Sequence, residues 1–484
     1  MAESLKSKTV KGVSWSFADN IANQGITFLV GLVLARLITP EEYGLIGIIL
    51  IFVAIFDSII NCGFSNALIR KKDANNLDYN TVFIVNLILS IVIFIAFFFS
   101  AHFIAGFFKQ PLLEPLTQVM GCIVIIHAFA FIQRTILIKR IDFKTQMKAS
   151  VISSVVSGII GITMAFYNYG VWSLVGQQLS RALLNTICLW LYSHWYPKMQ
   201  FSWNSFKELF GFGWKLLVSS LIDTVWREIY QVVIGKYYSP ATLGQYTRAH
   251  QFSSIFSSNM TSIIQRVSYP VLSTVQDDKD RLREGYRRVI KVTMLIAFVL
   301  MLGLAAVSKS MIQVLVGDQW LIAAGFLPII CLQMMLYPLH AINLNMLQIQ
   351  GRSDLFLKLE IIKKCVGVIP IILGIFINIY WMLWGSVGTG IFAYYLNSYY
   401  SGKFLDYSIT AQVKDISHSF GIAIIMALVT YMMSWLPLSS FILLPLQLFV
   451  GATTTIALCE WTGLEEYKEI KKIATPILKK ITRK

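Results

Sequence analysis

Along the chain, apolar residues come in long stretches separated by short polar connectors. The stretch Val82–Phe99, for example, contains no charged residue. A helix needs ~20 residues to cross ~30 Å of hydrocarbon, and there it must satisfy its own backbone amides. The pattern therefore predicts an all-α integral membrane fold of about fourteen transmembrane helices. Their approximate positions are 14–37, 43–64, 81–107, 116–138, 147–167, 170–193, 208–236, 243–271, 289–315, 322–349, 356–378, 380–401, 415–436 and 439–459.

The connectors orient the chain. Lys and Arg crowd alternate connectors, such as Arg70, Lys71 and Lys72, Lys139 and Arg140, and the run from Lys279 to Lys291. The other set holds few, among them Arg36, Lys109, Lys236 and Lys309. The imbalance of roughly six to one places both termini in the cytoplasm, and an even number of spans agrees with that. The connectors on the outer side are short, leaving no external domain. Leu464, Tyr467, Ile470, Ile473, Ile477, Leu478 and Ile481 recur at helical spacing among lysines. This predicts an interfacial helix on the anionic inner leaflet, the other reading being a frayed basic tail.

Composition agrees with the pattern. Of 484 residues, 56% are hydrophobic and 14% charged, against about 25% charged in soluble domains. The net charge of +16 sits in connectors, which argues for membrane topology rather than nucleic acid. The six cysteines are scattered singly in apolar stretches, without disulfide or metal spacing. No cleavable signal peptide is expected, because the first apolar run is too long and is interrupted by Asp19, Asn20 and Asn23.

A repeat of about 200 residues is visible. Arg36-Leu37-Ile38-Thr39-Pro40 with Gly44 corresponds to Lys236-Tyr237-Tyr238-Ser239-Pro240 with Gly244. Each copy offers a hydroxyl N-cap, a proline to start the helix and a glycine one turn later. Six spans separate the copies, so both halves face the same way. This predicts two pseudo-symmetric six-helix lobes, 1–200 and 201–402, followed by two further helices and the basic tail in 403–484. Parallel repeats of this kind build alternating access in several transporter folds.

Several of these stretches resemble a known family. Leu34-Ala35-Arg36-Leu37-Ile38-Thr39-Pro40-Glu41-Glu42-Tyr43-Gly44 is similar to the signature after the first helix of bacterial polysaccharide exporters, the Wzx-type lipid-linked oligosaccharide flippases. Ala67 to Asp73, Trp172 to Gly176, Ser273 to Arg283 and His340 to Lys364 resemble the colanic-acid-exporter-like branch of that family. The resemblance covers most of the chain and thins after about residue 400. It implies membership of the multidrug/oligosaccharidyl-lipid/polysaccharide exporter superfamily. It also implies the task of flipping an undecaprenyl-pyrophosphate-linked oligosaccharide across the bacterial inner membrane, for capsule, O-antigen or exopolysaccharide assembly. The implied partners are that substrate, membrane lipids and polysaccharide polymerase machinery.

Such a substrate needs cations for its diphosphate and polar walls for its sugars, and charges within spans are functional candidates by default. Arg181 lies mid-span with no acidic residue on its own helix, which makes it the leading phosphate ligand. Arg227 is mid-span too, but Asp223 and Glu228 offer it helix-face ion pairs. Arg248 and Arg266 flank the eighth span as loading or release contacts, or as snorkelling side chains. Lys363 follows Glu360 in the eleventh span. His340 and Asn343 lie on a polar arc of the tenth span suited to sugars or to interhelical hydrogen bonds. Asp19, Asp57 and Asp223 are the candidates for H+ or Na+ coupling. No P-loop, zinc-binding or catalytic motif is present, so no enzyme, metal site or cofactor is expected. The rival functions are a cation-coupled multidrug antiporter of the same superfamily, a membrane polymerase or transferase, and an envelope scaffold.

Overall fold

The computed structural model describes residues 5–61, 63–275, 277–350 and 352–481. Among them the backbone is helical almost throughout, in two compact units divided between Gly244 and Gln245. Both units place many large apolar side chains outward: Phe99, Phe103, Phe166, Trp435 and Trp461 are all strongly exposed. Polar side chains such as Asn86, Gln133, Ser157, Asn343, Asn397 and Ser401 are fully buried. That inversion is what a hydrocarbon solvent demands. The chain is a multi-pass membrane protein.

The first unit contains α1 (Leu5–Leu37), α2 (Pro40–Asn61), α3 (Phe64–Arg70), α4 (Asn76–Phe108), α5 (Leu113–Met120) and α6 (Cys122–Lys139). It continues with α7 (Phe143–Phe166), α8 (Val171–Ser193) and α9 (Trp203–Tyr237), and it includes the first residues of α10 (Pro240–Ser273). Connector residues supply the caps. Asn75 and Asp78 form a capping box at the start of α4, and the Asp142 and Ser202 side chains accept the Thr145 and Ser205 amides at the starts of α7 and α9. The buried face of α7 is made of small residues, among them Ala149, Ser153, Ser157, Gly158 and Gly161. This lets α1 and α8 pack closely on either side of it. Gly158 has no room for a side chain, since a Cβ there would lie 2.4 Å from Val30.

The repeated motif begins a helix twice, at Pro40 and at Pro240. Thr39 and Glu42 bond reciprocally in the first copy, and Ser239 accepts from the Thr242 amide in the second. The two copies also meet. A Cβ on Gly44 would lie 1.8 Å from the Pro240 carbonyl oxygen, and one on Gly244 would lie 1.9 Å from the Pro40 carbonyl oxygen. The glycines therefore serve backbone-to-backbone contact rather than turn geometry. The repeat and the packing do not share a boundary, because α9 packs against α2, α3 and α4 of the first unit. Ser58 and Ser220 hydroxyls lie 3.0 Å apart across that contact, and Lys71 bonds Glu208 at 2.9 Å.

The second unit holds the rest of α10, α11 (Lys279–Ala306), α12 (Ser308–Leu315), α13 (Leu321–Met334) and α14 (Tyr337–Ile349). After these come α15 (Ser353–Val366), α16 (Val368–Phe376), α17 (Ile379–Leu405), α18 (Ile409–Met432), α19 (Ser440–Trp461) and α20 (Glu465–Ile481). Its core gathers Tyr286, Ile290, Met294 and Phe298 of α11 with Ile342 and Met346 of α14 and Ala423 of α18. The predicted tail helix exists as α20, but its start is docked on protein. Leu464, Tyr467 and Ile470 pack with Leu295, Ile422 and Cys459, while Glu469 pairs with Arg288 at 2.7 Å. The side chains of Ile473, Ile477, Leu478 and Ile481 lie outside the described residues.

Nine stretches among the described residues are long and apolar enough to cross a membrane. The five other segments expected from the sequence are helical as well: α8, α9, α10, α15 with α16, and α17. They carry more polar side chains or, at Gly367, a break, so length and apolarity alone do not reach fourteen.

Two substitutions probe these contacts. Gly44→Ala or Gly244→Ala should destabilise the protein by about 1–3 kcal/mol through overpacking. Gly106→Ala, where nothing lies within 4 Å, should leave thermal unfolding of the detergent-purified protein unchanged. Asn343→Ala removes the acceptor that Tyr286 and Ser401 share. It should lower stability by about 1–3 kcal/mol in the same measurement, because the buried Tyr286 hydroxyl loses its partner while Ser401 falls back on the Ser398 carbonyl.

Candidate functional site

The first unit holds a half-open cavity of about 340 Å³, lined largely by polar side chains. Its walls include Asn23 of α1, Asp57 of α2, His127 and Arg134 of α6, Ser150 and Ser153 of α7, and Gln178, Arg181 and Asn185 of α8. Local sequence explains how these side chains converge. Ile123, His127 and Arg134 repeat at the spacing that puts them on one helical face, as do Gln178, Arg181 and Asn185. The small residues of α7 then bring α1 and α8 close enough for their polar groups to bond.

Four polar interactions organise the cavity. Arg181 Nη2 donates to Asn23 Oδ1 at 2.8 Å, and Ser154 Oγ donates to the same oxygen at 2.7 Å. His127 Nδ1 stands 2.8 Å from Asp57 Oδ1, which fixes the imidazole so that Nε2 is its free position. Ser150 Oγ donates to Asp19, placing that carboxylate just behind the cavity wall. Arg134 is the contrast: among the described residues it has no hydrogen bond or ion pair, although Asp57 and Asp19 act on it electrostatically. Two guanidiniums thus face one space, one held by a neutral amide and one with its donors free. Planar N–H forks suit phosphate oxygens.

On the far side of α6 and α8, Ile126, Phe129, Leu183, Ile187, Trp190, Leu191 and Tyr196 line an almost wholly apolar groove. The hydroxyl of Thr186 bonds the Ile126 carbonyl at 3.2 Å and ties the two helices together between cavity and groove. One helix pair therefore has a charged inner face and an apolar outer face.

Of the site residues expected from the sequence, the structure brings together Arg181 and Asp57, with Asp19 behind them. Asp223 and Arg227 are exposed on α9, where Arg227 pairs with Glu228 at 3.2 Å. The remaining five belong to the second unit. Arg248 is buried, bonds Gln251 at 2.9 Å and lies over the Trp320 ring at 5.2 Å. Lys363 pairs with Glu360. His340 Nδ1 is 3.3 Å from Asn397 Nδ2. Asn343 is fully buried, with its oxygen accepting from Tyr286 and Ser401 and its nitrogen donating to the Leu339 carbonyl. It faces its own core rather than a cavity. The Arg266 side chain lies outside the described residues. Sequence reasoning missed Arg134 and His127. Arg134 sits so near the end of its span that it reads as part of the basic connector, and only its phase with Ile123 and His127 marks it as inward-facing.

Comparison with known proteins decides the family. A profile of the family described as Polysaccharide biosynthesis protein matches residues 33–325. The chain belongs to this family. It is 25% identical to the succinoglycan biosynthesis transport protein ExoT of Rhizobium meliloti (strain 1021), over 69% of this chain and 67% of that one. It is 24% identical to the lipopolysaccharide biosynthesis protein WzxC of Escherichia coli (strain K12), over 77% and 76%. To the teichuronic acid biosynthesis protein TuaB of Bacillus subtilis (strain 168) it is 25% identical, over 73% of each chain. Among solved structures, the lipid II flippase MurJ in an inward closed conformation matches with a TM-score of 0.74. That match covers 95% of this chain and 99% of that one at 16% identity. An inward-facing MATE family multidrug resistance transporter of the MOP superfamily matches with a TM-score of 0.58, over 83% and 98% at 15% identity. This family member therefore has the transporter fold that its sequence resemblance implied.

The two faces of α8 can be told apart chemically. In a cysteine-free background, Asn185→Cys should react with a charged, membrane-impermeant thiol reagent in open membranes. Ile187→Cys, two residues on and facing the groove, should not. Failure of Asn185→Cys to react would mean that the cavity is not hydrated, and equal labelling of both would mean that the groove is hydrated too.

Proposed function

We propose that this protein flips a polyprenyl-diphosphate-linked oligosaccharide across the bacterial inner membrane by alternating access, in the assembly of a surface polysaccharide. The observation that carries the reading is the pair of arginines, Arg134 and Arg181, facing one cavity inside a membrane-embedded unit. Charges are costly there unless they serve a ligand or a pathway. The family and the names of its relatives in polysaccharide biosynthesis point to a large anionic glycolipid as that ligand. In this reading Arg181 and Arg134 hold the diphosphate, and Asn23, Gln178 and Asn185 offer hydrogen bonds to the headgroup. Arg248, Arg266, Lys363 and His340 in the second half, and Arg227 on α9, are later contacts along the route. The lobes 1–200 and 201–402 alternate, with 403–484 as an accessory segment, both termini in the cytoplasm and polysaccharide polymerase machinery as the recipient. Asp19, Asp57 and Asp223 are the candidate sites for H+ or Na+.

One observation favours a second reading. Asp57 and Asp19 stand in or beside the same cavity, as a cation-coupled multidrug antiporter would require, and the MATE fold is shared. A single assay separates the two. Purified protein in liposomes is given a fluorescent polyprenyl-diphosphate oligosaccharide, and headgroup accessibility to an external reagent is followed with and without a proton or sodium gradient. The expected result is movement of the lipid, reduced about tenfold or more in Arg181→Ala through loss of a charge-assisted hydrogen bond. Arg181→Lys should fall between, keeping the charge without the fork. Efflux of organic cations without lipid movement would establish the antiporter instead.

A further inference from the structure

The cavity of the first unit has a charge balance that the arginines alone do not reveal. Arg134 and Arg181 supply two positive charges and Asp57 and Asp19 two negative ones, so the cavity is neutral when His127 is neutral. These are the charged and titratable groups that α1, α2, α6 and α8 turn toward it; α7 contributes the hydroxyls of Ser150 and Ser153. A diphosphate entering would add at least two negative charges beside these groups. Such an excess favours uptake of a positive charge nearby. His127 is placed to provide it: its Nδ1 is engaged by Asp57 at 2.8 Å, and its Nε2 has no partner among the described residues. A carboxylate on one imidazole nitrogen stabilises the cation formed when the other nitrogen takes a proton.

We propose that the cavity takes up its anion and a proton together, the anion on Arg134 and Arg181 and the proton on His127 Nε2, with Asp57 holding the imidazolium. The inference rests on the reading of this cavity as the headgroup site and adds the sense of the linkage. A proton that competes with substrate for one carboxylate weakens substrate binding as pH falls. A proton bound beside the anion strengthens it, by up to about tenfold per pH unit when one full proton is taken up. Asp57 then acts as a positioning residue for His127, and Arg134, which the sequence conceals, is a substrate ligand.

Calorimetric titration of the detergent-purified full chain with farnesyl diphosphate, in two buffers of different ionisation enthalpy at the same pH, counts the protons. The ligand's own last proton is common to every variant, so the difference between variants reports the protein. The wild type should take up about 0.5–1 proton more per ligand than His127→Gln, and Asp57→Asn should lose most of that difference. Size-exclusion profiles identify any variant that fails to fold. Equal proton counts in wild type and His127→Gln, or net release on binding, would overturn the linkage while arginine-dependent binding left the functional reading intact. Binding unchanged in the Arg134→Ala Arg181→Ala double variant would place the anion elsewhere and overturn both. Inorganic pyrophosphate should show the same proton difference at lower affinity. Phosphatidylglycerol should show none, and the same uptake with it would reassign the site to phospholipid headgroups.

Discussion

Hydrocarbon neither donates nor accepts a hydrogen bond, and the rest of the structure depends on that. Each long apolar segment closes its own backbone ladder, so helix is the available answer for almost every described residue. The same constraint turns the side-chain distribution inside out. Many phenylalanine, tryptophan and isoleucine side chains face outward, where burying them in protein would gain little. Asn, Gln, Ser and Tyr are drawn inward because they find partners only there. The hub in the second unit, where Asn343 serves Tyr286, Ser401 and the Leu339 carbonyl at once, is a direct product of this sorting.

Small residues convert the sorting into a site. Without a hydrophobic drive between helices in lipid, close approach rests on packing and on polar bonds. The Ala, Ser and Gly face of α7 allows both. It admits Val30 of α1 beside Gly158 and Ser173 and Gln177 of α8 beside Gly161, and it leaves the polar ends of those helices facing one another. Asn23 can therefore reach Arg181, and Ser150 can reach Asp19. Cations set within a membrane-spanning unit with so little direct compensation are expensive, and Arg134, exposed toward the cavity, has no hydrogen bond or ion pair among the described residues.

The two units present different charged groups. In the second unit several basic side chains are matched within the unit: Arg287 grips Asp415 with two nitrogens, Lys363 takes Glu360, and Arg248 lies over Trp320. In the first unit two arginines open onto a cavity whose carboxylates are partly engaged by a histidine and a serine. The meeting of Gly44 with Pro240 and of Gly244 with Pro40 shows the repeat at the backbone level. Both copies start a helix in the same way, and the starts pack carbonyl against glycine.

The sequence by itself determined the membrane class, the helical fold, the family resemblance and the duplicated helix start. Each of these is written in local composition or in spacing along one segment. It also identified Arg181, Asp57 and Asp19, because a charge amid twenty apolar residues is visible without knowing its neighbours. Only the tertiary structure decided which of the many intramembrane charges share a space. It set Asp223 and Arg227 on the exposed side of α9, engaged Arg248, Lys363 and Asn343 within the second unit, and brought in Arg134 and His127. The physical reason is that a helix fixes the face on which a side chain stands, whereas its partner lies on another helix 70 or more residues away, as His127 and Asp57 do. Nothing local to either residue encodes that meeting.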